Sequence, residues 1–144
     1  MILTRICLAS ILIIVVESKK VVIITDGTGL IQELARRVEA VIGGYQDYSA
    51  TVVQADAFSG VDLLPADIFF LGCENPNPPS FQYIEALLQH INLAGRPCGI
   101  FSASSEAVKY LSLLVRDSEA AAVSFLAKSA DADELSQWVK GILK

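Results

Sequence analysis

The sequence is poor in the residues that build metal and nucleophile sites. His90 is the only histidine, and the three cysteines, Cys7, Cys73 and Cys98, show no C-x-x-C spacing. One histidine without a cysteine pair leaves no ligand set for zinc. An odd, scattered cysteine count is no disulfide framework, so reduced thiols are expected. A Ser-His-acid arrangement would need His90 beside a ligand crevice. It falls instead near the end of a helix that leads away from the crevice expected at the strand ends. Basic residues are few as well, 11 Lys and Arg against 16 Asp and Glu, for a net charge of −5. That excludes the positive face with which a protein reads a nucleic-acid backbone. Repeats and low-complexity stretches are absent, and 144 residues suffice for one ordinary core.

What is abundant is apolar, 53% of the chain, and it is unevenly spread. Residues 1–16 carry one charge, Arg5, and 13 apolar residues. The eleven-residue stretch Ile6 to Val16 is broken only by Ser10. As a helix it would rise about 16 Å, short of the ~30 Å hydrocarbon core of a bilayer. Val15-Val16-Glu17-Ser18-Lys19 offers no cleavage site of A-x-A type. Thr4-Arg5-Ile6 before Cys7 is no lipoprotein box either. Ile11 to Val16 is mostly β-branched and suits an added strand. Residues 1–18 are therefore an apolar N-terminal extension, open to three readings: packed strand, signal or anchor. Membrane contact is expected only if residues 1–16 insert. Residues 19–144 form the domain proper, with a cytoplasmic location expected.

Along the domain, short apolar runs alternate with helical periodicity. Val21-Val22-Ile23-Ile24 suits a strand buried on both faces. After Asp26-Gly27-Thr28-Gly29, residues Ile31, Leu34, Ala35, Val38, Val41 and Ile42 share one helical face, which Gly43-Gly44 ends. Ala50–Val53 and Asp67–Leu71 are the next strands, the latter followed by Gly72. The proline-rich loop Asn75-Pro76-Asn77-Pro78-Pro79 leads to Ser80, an expected N-cap, and to a helix buried through Phe81, Ile84, Leu87, Leu88 and Ile91. Cys98–Phe101 is a fourth strand, residues 105–116 a third helix, and Ala122–Leu126 a fifth strand. Asp131 or Asp133 then opens a last helix with the stripe Leu135, Trp138, Val139 and Ile142. This alternation predicts an α/β fold: a three-layer, doubly wound, five-stranded parallel sheet in the order 2-1-3-4-5.

In such sheets ligands bind beyond the carboxyl ends of the strands, where the strand order reverses. That brings together the loops at Thr25–Gly29, Gly72–Asn75 and Ser102–Ser105. The candidate ligand-binding residues are Asp26, Gly27, Thr28, Gly29, Cys73, Glu74, Asn75, Ser102 and Ser104. Each has a plainer role too: the glycines turn the chain, and Ser104 or Ser105 caps a helix. Cys73 is the one open nucleophile, but a neighbouring carboxylate, Glu74, raises a thiol's pKa and lowers its reactivity.

Over residues 19–144 the sequence resembles the flavodoxins. Leu93-Ala94-Gly95-Arg96-Pro97-Cys98-Gly99-Ile100-Phe101-Ser102 looks like that family's approach to its fourth strand, and Asp62 to Gly72 like its third strand and following glycine. Thr28-Gly29 falls at the family's phosphate loop, where backbone N–H groups and a helix N-terminus hold the FMN phosphate. The resemblance implies a phosphate loop at Asp26–Ile31, with residues 73–75 and 102–105 flanking the flavin ring. It also implies electron transfer through FMN to a redox partner that the sequence does not name. The loop is degenerate, however. Asp26 and Ile31 stand where the family has hydroxyl residues, and a carboxylate beside a phosphate dianion costs about 1 kcal/mol or more. No Trp or Tyr occurs in residues 73–80 or 102–106 to stack on the ring; Phe81 reads as core. The expectation is a flavodoxin-like protein with a weakened or lost FMN site, not a catalyst in its own right. The alternative is a cofactor-free module that binds another protein.

A lesser resemblance is to response-regulator receiver domains, through Ser102-Ala103, Lys128 and Asp26. Gly72 stands where their phosphoryl-accepting aspartate would be, so that resemblance implies only a pseudo-receiver.

Overall fold

The computed structural model describes residues 18–127 and 132–143. The segment before Ser18, with Cys7, and the residues Lys128 and Asp131 lie outside the described residues. The strands are β1 (Lys19–Thr25), β2 (Tyr48–Gln54), β3 (Ile68–Gly72), β4 (Pro97–Ser102) and β5 (Ala121–Leu126). Between them run α1 (Gly29–Ile42), the four-residue α2 (Gly60–Leu63), α3 (Gln82–His90) and α4 (Ser105–Arg116), and α5 (Ala132–Leu143) follows β5. All five strands are parallel in the order β2-β1-β3-β4-β5, the predicted 2-1-3-4-5.

Alternation along the central strands sends successive side chains to opposite faces, and each face has its own core. Val22, Ile24, Phe69, Leu71 and Ile100 pack against α3 and α4 through Ile84, Leu88, Leu111 and Val115. Val21, Ile23, Ile68, Phe70 and Phe101 pack against α1 and α5 through Ile31, Leu34, Val38, Val139 and Ile142. The helical stripes read from the sequence face the two cores, with Val41, Leu87, Ile91 and Trp138 only partly buried. Trp138 joins α5 to the sheet, edge-on to Phe70 at 5.3 Å and stacked on Phe125 at 5.1 Å. Two glycines make room for these rings. A Cβ on Gly99 would lie 2.3 Å from the Phe70 ring and 2.9 Å from Trp138, and one on Gly72 would lie 2.3 Å from Phe101.

Two details differ from the sequence reading. Ser80 does not cap α3: a 3₁₀ turn at Pro79–Phe81 precedes the helix, and the cap position falls to Phe81 without a side-chain bond. Proline at the turn's first position fixes φ and tightens the entry, so Ser80 is already inside it. The link between β2 and β3 also holds more structure than a plain connection, with the 3₁₀ turn Ala55–Ala57 and α2, which Ser59 caps by accepting from the Val61 N–H at 3.3 Å. Among the described residues no helix is long and apolar enough to cross a membrane.

Candidate functional site

The carboxyl ends of β1, β3 and β4 present their loops on one edge of the sheet, as the strand order requires. Thr25 ends β1 fully buried, and its hydroxyl donates to Gln32 Oε1 at 2.7 Å. The Thr25 hydroxyl oxygen in turn accepts from the Gly27 N–H at 3.3 Å. Gly27 then turns the chain at φ +85°, where a side chain would be strained and its Cβ would press on Gln54 Oε1 at 3.0 Å.

Asp26 organises the loop around this turn. Its Oδ1 accepts from the Thr28 hydroxyl at 2.7 Å and the Thr28 N–H at 3.0 Å. Its Oδ2 accepts from the Glu74 N–H at 2.8 Å, tying the loop after β1 to the loop after β3. The carboxylate thus takes three donors, and it also places a negative charge just before the N-terminus of α1, whose first turn has no acid of its own. Ile31, the far end of the six-residue loop, is fully buried in the core between β1 and α1. Gly29 stands open, with nothing within 4 Å of an added Cβ.

Asp26 and Thr28 share a groove of about 420 Å³ with the proline loop from Asn75 to Ser80. Asn77 turns that loop at φ +54°, a conformation asparagine tolerates better than most residues. Asn75 lines the groove, and both it and the adjacent Glu74 are exposed. Among the described residues no aromatic side chain lines the groove, and Phe81 is fully buried in the core as expected.

Cys73 takes a different place from the one its loop position suggested. Its side chain is fully buried in the core beneath α3 and α4. Burial, with the Asp26 carboxylate adding, pushes its thiol up to about 12. The charge that matters is therefore Asp26 across the crevice rather than the adjacent Glu74. Ser102 is buried too, and its hydroxyl accepts from the Ser104 N–H at 3.1 Å. Ser104 caps α4, its hydroxyl accepting from the Ala107 N–H at 3.3 Å. Both serines are engaged within their own loop.

Three participants had no signal in the sequence. Gln32 and Gln54 close the turn around Thr25 and Gly27, although each reads as an ordinary polar position of its helix or strand. Tyr110 donates to Glu85 Oε1 at 2.5 Å between α4 and α3, and burial with that bond raises its pKa above the usual phenol range. Among the described residues, no group of three metal-ligating side chains converges. His90 is the exposed last residue of α3, away from the groove.

Neither the protein-family models nor the curated proteins give a match to this sequence. Solved structures do. A short-chain flavodoxin associated with a non-canonical PDU bacterial microcompartment superposes with a TM-score of 0.73 at 15% identity, over 88% of this chain and 97% of its own. The Streptococcus pneumonia TIGR4 flavodoxin gives a TM-score of 0.73 at 18% identity, over 88% and 98%. A flavodoxin from the domain Archaea gives 0.70 at 14%, over 85% and 95%. Likeness at such identities speaks for architecture alone, and in architecture the chain has the flavodoxin-like fold.

Proposed function

We propose that this is a flavodoxin-fold protein with a lost or weakened FMN site, working as a cofactor-free module that binds another protein. The observation that carries the reading is the Asp26 carboxylate, which accepts from the Thr28 N–H, the Thr28 hydroxyl and the Glu74 N–H. Hydroxyl and backbone N–H groups at a helix N-terminus are the donors a phosphate would need. Here the Asp26 carboxylate already holds the Thr28 hydroxyl and N–H and the Glu74 N–H, and a phosphate dianion beside it would meet repulsion as well as competition. The groove beside Asp26 is walled by prolines, asparagines and Ser80, and among the described residues no aromatic lines it to stack on a flavin. The Asp26 bonds and the lining of the groove thus support a lost or weakened FMN site.

Titration of the purified protein with FMN, followed by quenching of flavin fluorescence, tests this. The unaltered chain is expected to show no saturable binding. Asp26→Thr removes the internal anion and leaves a hydroxyl, and it should bind FMN more tightly than the parent. A parent protein that is yellow as purified, or that saturates at one FMN per chain, sinks the reading and restores the flavin carrier.

A further inference from the structure

β2 is an edge strand, and among the described residues nothing pairs with its outer side. The Lys19 N–H donates to Asp47 O at 2.8 Å, which sets the phase of the parallel ladder. Residues 49, 51 and 53 therefore bond to β1, and the N–H and C=O groups of Ala50, Val52 and Gln54 turn outward. Sheet edges are ordinarily blunted by lysine, proline or a bulge. Tyr48-Ser49-Ala50-Thr51-Val52-Val53-Gln54 has no charge and no proline. Its register with β1 runs without a bulge from Lys19–Tyr48 to Thr25–Gln54. Asp47 and Asp56 fall just beyond its ends. Ser49 and Thr51 are exposed and line an open groove of about 340 Å³ with Lys20 and Asp62, so the strand can be approached from that side.

We propose that β2 pairs antiparallel with β2 of a second copy, across a two-fold axis at Thr51, so that two sheets join into one. This register sets Ala50 against Val52 of the second copy, and Val52 against its Ala50. Both pairs bring outward N–H and C=O groups face to face, and each exchanges two hydrogen bonds. A strand that meets its own copy must not oppose like charges, and this one carries none. Thr51 falls opposite Thr51 of the second copy, a favourable cross-strand pair. Behind Ala50 and Val52 packs α1, which carries both signs in Glu33, Arg36, Arg37 and Glu39, so the second copy does not meet a helix of one sign. The seven-residue strand is ~23 Å long, a small contact beside the ~800 Å² per partner of a standard interface. The dimer is therefore reversible, with a dissociation constant between about 10 μM and about 0.5 mM. None of this draws on the Asp26 loop, so it stands or falls independently of the proposed loss of FMN binding.

Sedimentation velocity of the full chain, from about 1 μM to about 1 mM, is the test. The parent is expected to move from monomer toward twice that mass as concentration rises. Thr51→Lys, at an exposed position, sets like charges against each other on the axis and should stay monomeric, and Thr51→Glu should do the same. An equimolar mixture of the two sets opposite charges across the axis and should associate ~10-fold more strongly than either variant alone. Amide exchange read by NMR needs no substitution and decides the matter if a variant fails to fold. Between about 50 μM and about 1 mM the parent's Ala50, Val52 and Gln54 amides should slow by at least ~2-fold, while Thr51 and Val53, already bonded to β1, should not change. The proposal is overturned if the parent stays monomeric throughout, if either variant associates as the parent does, or if the mixture of folded variants fails to recover the dimer. Association that leaves the Ala50 and Val52 amides unchanged assigns the contact to another surface and overturns it as well.

Discussion

The middle of the sheet and the loops at its carboxyl edge are a few residues apart and are held in opposite ways. At β3 and β4 the chain gives up side chains: Gly72 and Gly99 leave space that Phe101, Phe70 and Trp138 fill. Beyond the strand ends side chains are kept and turned back on the backbone, as with Asp26 onto Thr28 and Glu74, and Ser104 onto Ala107. The centre is held by volume, where a displaced atom has nowhere to go. The edge is held by directed polar bonds, each worth little net but costly to leave unmade. A flavodoxin-like sheet can therefore persist unchanged while its crevice loops are rewired, because the two obey separate constraints.

The difference can be broken hardest at the centre. Gly99→Val places atoms into the Phe70 and Trp138 rings and should cost about 3 kcal/mol or more in urea unfolding. A loss below about 1 kcal/mol would mean the rings can shift, and the contrast with the edge would fade. At the edge, Asp26→Ala removes three bonds from a half-buried carboxylate and should cost about 1–2 kcal/mol. The faster exchange should be confined to the Thr28 and Glu74 amides, and a global rise in exchange would contradict a local role.

Cys73 lies where the two regions meet and carries a pH signature. Its folded pKa of about 12 lies above the 9.0 of a free thiol, so the folded state holds the proton over that interval while the unfolded state releases it. Its contribution to stability is therefore intact below pH 9 and falls as pH rises from 9 toward 12, by at most about 1.4 kcal/mol per pH unit. Unfolding midpoints of the parent and Cys73→Ala should converge as pH rises through that range. The smallest effect is expected at Gly29→Ala. Open space and a helical position make it neutral or stabilising by about 0.5–1 kcal/mol, read as a small rise in the thermal midpoint.

Much of the architecture was legible in residue order. The runs at Val21–Ile24 and Ile68–Leu71 are apolar at every position because both faces of a parallel sheet are covered, and the stripes of α1, α3 and α5 appear at helical spacing. The site was legible only in outline. Asp26, Thr28, Glu74 and Asn75 fall at one crevice as their loop positions implied. Cys73 did not follow its loop, since one step past a strand end decides which face a side chain takes. Ser80 lost its cap to the turn imposed by Pro79.

Periodicity is a local property, so residue order by itself indicated the five strands and the four longer helices, and their alternation pointed to a parallel sheet. Which donors the Asp26 carboxylate takes is not local. The Glu74 N–H arrives from 48 residues away, through the pairing of β1 with β3. Only the tertiary structure decided that the Asp26 carboxylate takes the Glu74 N–H as well as the Thr28 donors. The physical reason is that a hydrogen bond depends on register and direction, and no composition or spacing encodes either.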